Sequence, residues 1–284
     1  MDEISVVIPT LGGEQLFETI SSLNSGSLVP LRIMVCIPEH SELQASFPDQ
    51  DNVEIIRTRV RGQVAQRAVG LGMAKTEFVV QLDDDIRLGH DCLAQLVKSG
   101  KRLGPSSVVS PAFITPLSGE SLYRIDSTSF FKKCYFHLLN GKDGYRPGTI
   151  TRAGTTLGID CNKIESTECE SEWLPGGCVL HYLKNVITDN YFPFDGKAFS
   201  EDLYFSRLAA MKGLKLYISR DSRCVVDPMP TIEKQGLGEF FKGLSGDFRA
   251  RSLFVKETGR SLPRMYSFYL LHILKYFTRK LLSP

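Results

Sequence analysis

The sequence predicts an α/β fold in which a mostly parallel sheet is flanked by helices and followed by a helical C-terminal extension. Three observations carry this. Short β-branched runs alternate with amphipathic stretches over the first 110 residues or so, the pattern of strands joined by right-handed crossovers. An apolar run, Phe78-Val79-Val80-Gln81-Leu82, ends abruptly in Asp83-Asp84-Asp85. A strand buried on both faces ends in three charges only where its tip meets water, a ligand or a metal. The last third of the chain turns helical and basic.

Taken in order, residues 4–9 (Ile4-Ser5-Val6-Val7-Ile8-Pro9) read as a first strand, stopped by Pro9, Thr10 and the pair Gly12-Gly13, so that its tip can approach a ligand closely. A helix is expected over 15–24, a second strand over 31–37 closed by Pro38-Glu39-His40, and a shorter third strand over 53–57. From Gly62 to Lys75, Val64, Ala68 and Leu71 fall at i, i+4 and i+7, which gives one buried helical face opposite Gln63, Gln66 and Arg67. The strand ending in the three aspartates follows. Between Pro111 and Glu172 the pattern loosens into an expected, partly looped insertion. Order returns at Trp173-Leu174-Pro175-Gly176-Gly177, where two glycines permit close backbone approach. After the turn Phe194-Asp195-Gly196, Ser200-Glu201-Asp202 opens a helix with Tyr204, Leu208 and Met211 on one face; short strands are expected over 214–219 and 223–226, and helices over 239–256 and 263–282.

With 284 residues the chain has room for one large α/β domain and an appendage. A net charge of +2 argues against a general nucleic-acid binder. Cys36, Cys92, Cys134, Cys161, Cys169, Cys178 and Cys224 are odd in number and never in a C-x-x-C pair, so they read as reduced thiols. The acidic start, which runs straight into a strand, predicts no signal peptide, and no window approaches the roughly 18 apolar residues of a membrane span. A cytoplasmic protein is expected. His40, His90, His137, His181 and His272 show no ligand spacing.

Three neighbouring carboxylates repel one another, and a divalent cation held by hard oxygens, with a phosphate beside it, relieves that repulsion. The plain alternative is a solvated acidic turn. The ordered set Ser5-Val6-Val7-Ile8-Pro9-Thr10, Gly62 through Arg67 to Gly70, Leu82-Asp83-Asp84-Asp85, and Phe194-Asp195-Gly196 leading into Ser200-Glu201-Asp202 resembles the family 2 glycosyltransferases, inverting enzymes of the GT-A fold. The resemblance spans roughly residues 4 to 218. It implies a GT-A-type domain over 1–230, with a donor-binding half (1–110) and an acceptor half (111–230), and a basic helical extension over 231–284.

The resemblance also implies roles. Asp85 and Asp83 would hold Mn2+ or Mg2+, and Asp83 and Asp84 would meet the nucleotide sugar together with Pro9, Thr10, Glu39 and Arg67. Asp202 would be the general base, oriented by Glu201; Trp173, Gly176 and Gly177 would form the acceptor side. Asp227 stands where many members supply a metal-binding histidine, and is either a substitute or a turn residue; Ser200 is equally a plausible helix cap, and Trp173 a core residue. The implied partners are a nucleoside-diphosphate sugar and a saccharide or lipid-linked acceptor. The alternatives are a nucleotidyltransferase of similar fold, or an inactive homologue that only binds a nucleotide sugar. Arg249 and Arg251 either reach the diphosphate or are solvated. The helix from Tyr266 to Leu282 mixes apolar residues with Lys275, Arg279 and Lys280, and either lies peripherally on an anionic membrane or packs on the domain.

Overall fold

A computed structural model describes residues 3–43, 50–116, 118–124, 129–163, 165–227 and 235–282. The strands β1 (Ile4–Pro9), β2 (Arg32–Pro38), β3 (Val53–Thr58) and β4 (Phe78–Leu82) stand parallel in the order β3-β2-β1-β4, as the alternating pattern predicts. Beyond β4 the sheet is mixed. β8 (Cys178–Tyr182) runs antiparallel to β4 and to β6 (Ser107–Ile114), and β9 (Lys215–Val226) lies parallel to β6. β5 (Ile86–Leu88) and β7 (Glu168–Ser171) both pair antiparallel with β9.

The near-continuous apolar runs are explained by burial on both faces, since successive side chains of a strand point to opposite sides. Ile4, Val6 and Ile8 of β1 and Phe78, Val80 and Leu82 of β4 join one core with Leu16, Ile20 and Leu23 of α1 (Gln15–Asn24) and Leu93, Leu96 and Val97 of α3 (Cys92–Leu103). Val7 and Val79 face the other way, onto Leu71 of α2 (Gln63–Met73). The helix after the Ser-Glu-Asp run is α5 (Glu201–Met211), whose Phe205 and Ala209 cover Val108 and Val179. It buries Tyr204 as expected, but Met211 is exposed.

The two short strands expected near residues 214–226 are one strand, β9, with a register shift against β6 between Pro111 and Ala112. The irregularity falls between the two expected pieces. It lets β9 pair with β7 at its start and β5 at its end, bending as a bulged strand does. The interval 111–172 holds the end of β6, α4 (Phe130–Asn140) and β7, so it is more ordered than the composition implied. Helices α6 (Leu237–Glu257) and α7 (Leu262–Leu282) close the chain. The first two residues and the expected boundary at 230/231 lie outside the described residues.

Candidate active site

Sheet topology gathers the acids. β1 and β4 are parallel, so Pro9-Thr10 and Asp83 leave the same edge of the sheet. β8 runs the other way, with Cys178 opposite Leu82, so the preceding Gly176-Gly177 arrive at that edge too, and the Asp83 backbone N–H donates to the Gly177 carbonyl at 2.7 Å. The three aspartates thus form a turn between two strands, β4 and β5, not between a strand and a helix.

Arg67 ties this edge to α5. Its side chain is fully buried, and its guanidinium donates to Asp83 Oδ1 at 2.9 Å and to Glu201 Oε1 at 2.8 Å. On the polar face that the sequence assigned to α2, Arg67 and Gln66 are therefore buried. Gln66 on the same face donates to the carbonyls of Thr10 (2.8 Å) and Cys36 (2.7 Å), and Gln63 donates to Asp83 Oδ1 at 2.8 Å. Burial alone would lower the Arg67 pKa, but the Glu201 and Asp83 carboxylates raise it, so it is a permanent cation in the floor of the site. The expectation that Arg67 meets the nucleotide is corrected accordingly: both of its terminal nitrogens are engaged by carboxylates.

The two acids that open α5 are held differently. Glu201 is buried, with Oε1 on Arg67 and Oε2 accepting from Tyr191 at 2.6 Å. Asp202 borders the open cleft; its Oδ1 accepts from the Gly176 N–H at 2.9 Å. Burial, then the neighbouring Glu201 charge, push the Asp202 carboxyl up to about 8. The glycines are required by this contact. A Cβ at Gly176 would lie 2.5 Å from Asp202 Oδ1 and 2.6 Å from Glu201 Oε1, and one at Gly177 would lie 2.5 Å from Ile86 Cδ1. Behind them Gln81 donates to the Gly176 carbonyl at 2.7 Å, and His181 Nε2 lies 3.2 Å from Gln81 Oε1. Burial, then Arg67, lower the His181 pKa to about 3, so the ring is neutral and donates through Nε2.

On the donor side, the Thr10 hydroxyl donates to Asp84 Oδ2, and the Gly12 N–H donates to Thr10 Oγ1 at 2.8 Å. Burial raises the Asp84 pKa against this hydrogen bond. Asp85 is exposed, and its pKa is raised by burial of its surroundings and then by the Asp83 and Asp84 charges. Asp84 and Asp85 are hard oxygen donors whose ionised form is disfavoured, and a nearby cation would relieve this. Among the described residues no group of three His, Cys, Asp or Glu side chains is disposed to hold a metal alone. The fit is to an ion bound by one or two carboxylates, Asp85 and Asp83, and completed by phosphate oxygens and water, as Mg2+ commonly is.

The other expected residues fall as follows. Pro9 is buried in β1 beside Cys36 of β2. Glu39 is exposed past the end of β2, 3.6 Å from Arg59. Trp173 is core, not cleft: it is buried, its indole N–H donates to the Leu157 carbonyl at 3.1 Å, and its ring meets Tyr123 edge-on. Asp227 follows Val226, the partner of Ile86, and so stands near Asp85 along the strand pair, yet its carboxylate is gripped by Arg87 at 2.8 and 3.1 Å. In this structure it is an ion-pair partner of Arg87. Ser200 is not a side-chain cap. It sits in the left-handed region at φ 54°, a costly conformation for serine, and its hydroxyl bonds Asp247 and accepts from Arg251 at 2.9 Å. Arg251 is locked into Asp247, Tyr269 and the Gly154 carbonyl, so it buttresses the start of α5 and does not reach for a diphosphate. Arg249 stacks on Phe194, 4.2 Å from the ring centre.

From Asp83 and Asp202 a cleft of about 950 Å3 runs out between α5 and the pair α6–α7. Phe194, Phe199, Phe268 and Tyr269 line it, with Lys197, Lys242 and Arg249 among them. Sequence reasoning missed Tyr191, Gln81 and Lys197, none of which carries a local pattern. Gln63 and Gln66 were visible on the helix, but the burial of Gln66 and the bond from Gln63 to Asp83 were not.

The mixed α/β sheet flanked by helices, with a helical C-terminal end, is a GT-A-type fold. The chain is similar to the protein in a crystal structure of GalNAc-T7 with UDP, GalNAc and Mn2+, at TM-score 0.58 and 16% identity over 98% of this chain. The chain spans 57% of the length of that protein. No protein-family model and no curated protein matches the sequence.

Proposed function

We propose that the chain is a metal-dependent, inverting glycosyltransferase of the family 2 type, moving a sugar from a nucleoside-diphosphate donor to a hydroxyl acceptor in surface polysaccharide or glycolipid assembly. The observation that carries this reading is the buried Arg67 bridge, which brings the Asp83 turn and the Glu201-Asp202 pair to one cleft. Donor-side carboxylates and a base carboxylate on one wall are what a single-displacement transfer needs.

In that reaction the acceptor O–H gives its proton to Asp202, its oxygen bonds the anomeric carbon, and the bond from that carbon to the phosphate oxygen breaks, with its electron pair leaving on the diphosphate. Asp202 suits the base role because one oxygen is fixed by Gly176 while the carboxylate borders open cleft. Glu201, with both oxygens occupied, positions its neighbour instead. Asp85 and Asp83 would hold the divalent ion, which when bound supplies positive charge for the departing diphosphate. Lys197, close enough to lower the Asp85 pKa, adds charge at the same place. The GalNAc-T7 likeness supports the GT-A fold, and that protein's structure holds UDP, GalNAc and Mn2+.

The test is turnover of a panel of uridine- and guanosine-diphosphate sugars with Mn2+, for the wild type and for Asp85→Ala. Release of nucleoside diphosphate by the wild type, lost in the variant, is expected. Formation of a nucleotide sugar from a sugar phosphate and a nucleoside triphosphate would make the chain a nucleotidyltransferase, and no turnover of any donor would make it an inactive relative.

A further inference from the structure

The exposed apolar surface lies away from the cleft, on α7 and α4. Along α7, Tyr266, Leu270, Leu274, Phe277 and Leu281 fall at i, i+4, i+8, i+11 and i+15, one face of a helix, and all are exposed, Leu270 at 59% and Leu281 at 84%. The inward face of the same helix is a different set, Met265, Tyr269 and Tyr276. α4 lies against α7, tied by Arg264, which donates to the carbonyls of His137 and Leu138. At its start α4 exposes two adjacent rings, Phe130 at 74% and Phe131 at 83%. Large side chains left this open on two touching helices are an exposure that a soluble surface normally avoids.

Charge identifies the occupant. Neither α4 nor α7 contains an aspartate or glutamate, whereas Lys132 and Lys133 adjoin the two phenylalanines and Lys275, Arg279 and Lys280 flank the α7 stripe. A second copy of the chain docked face to face would set these cations against a surface whose two helices offer no carboxylate, since a two-fold contact uses the same patch on both sides. An anionic lipid surface instead accepts the apolar stripe below the headgroups and the cations among them. No helix among the described residues is long and apolar enough to cross a membrane, so the fit is to one lying on its surface.

We propose that the α4–α7 face docks the protein on an anionic lipid bilayer. This goes beyond the glycosyltransfer reading and does not depend on it. One consequence does rest on that reading: α7 also lines the cleft through Phe268, Tyr269 and His272, so docking would set the acceptor cleft beside the lipid headgroups.

The experiment is sedimentation of the full chain with vesicles of phosphatidylcholine alone and of phosphatidylcholine mixed with phosphatidylglycerol. Binding to the mixed vesicles, weakened by salt, is expected, with little binding to phosphatidylcholine. Leu270→Glu with Phe277→Glu should abolish it, and Lys275→Ala with Lys280→Ala should weaken it about five-fold for each cation removed. All four residues are exposed, and circular dichroism verifies that the variants fold. Failure to sediment with the anionic vesicles, or binding that ignores both pairs of changes, overturns the proposal. So does a dimer in light scattering that Leu270→Glu dissolves while no vesicle binding is seen. Donor turnover plays no part in the readout, so a protein without transferase activity that still binds leaves the docking face standing.

Discussion

Replacing Arg67 by methionine isolates the contact on which the site is built. The substitution keeps a side chain of similar reach but removes two charge-assisted hydrogen bonds, of 2.9 Å to Asp83 and 2.8 Å to Glu201. Hydrogen bonds to charged groups contribute about 1.5–3 kcal/mol each, so the pair sums to roughly 3–6 kcal/mol. Removing one partner from a buried ion pair costs about 3–5 kcal/mol, which agrees. Most of the loss falls on Glu201, whose side chain is 6% exposed against 23% for Asp83, because water can re-solvate the second but not the first. Taking about 4 kcal/mol, and roughly 2–4 °C of melting temperature per kcal/mol in a protein of this size, the melting point should fall by roughly 8–16 °C at about pH 8. The assay is a thermal melt of wild type and variant. Arg87→Met, which breaks only the exposed pairs with Glu18 and Asp227, is the control and should move the midpoint little. A drop of under about 2 °C for Arg67→Met, or one no larger than that of Arg87→Met, would refute the reasoning.

Gly176→Ala should cost about 1–3 kcal/mol in a urea melt and most of the transferase activity, because its methyl group must displace Asp202 or Glu201. Thr10→Val should weaken nucleotide binding, measured by calorimetry, and cost about 1–3 kcal/mol, since it leaves the Asp84 carboxylate without its donor. Asp202→Asn should raise the melting temperature above that of wild type in alkaline solution and change it little in acid. The sign follows from a folded pKa raised above the unfolded one: Asp202 supports the fold below the unfolded value near 4 and loses that support as pH rises through about 8. Even one pKa unit, about 1.36 kcal/mol, would show as a shift of a few degrees.

The parallel half of the fold was legible because strands buried on both faces leave continuous apolar runs, as 4–8 and 78–82 do, and because the crossovers between them are short. The mixed half was not. Antiparallel β8 and β5 are too short and too close to turns to announce their partners, and the pairing of β9 with three strands depends on a bulge that sequence spacing does not encode. Within the site, the acids stood out because consecutive charges at a strand tip conflict with burial. What stabilises them did not. Gln66 and Arg67 read only as the polar face of an amphipathic helix, since periodicity separates polar from apolar but cannot show a buried carboxylate. Ser200 looked like a cap for the same reason: the residue type fits, whereas its left-handed backbone and its bond to Asp247, 47 residues on, are tertiary facts. Trp173 was drawn to the acceptor side by resemblance, and packing against Tyr123 decided otherwise.

The most direct measurement is paired on one variant: calorimetric binding of the nucleoside diphosphate in the presence of Mn2+, and transfer from the corresponding nucleotide sugar, for Asp202→Asn against wild type. A base that touches only the acceptor predicts donor binding within about two-fold of wild type and transfer lowered by at least the 10²–10⁴ that general-base catalysis supplies. Transfer that survives the substitution, or affinity lost in step with it, would contradict the account.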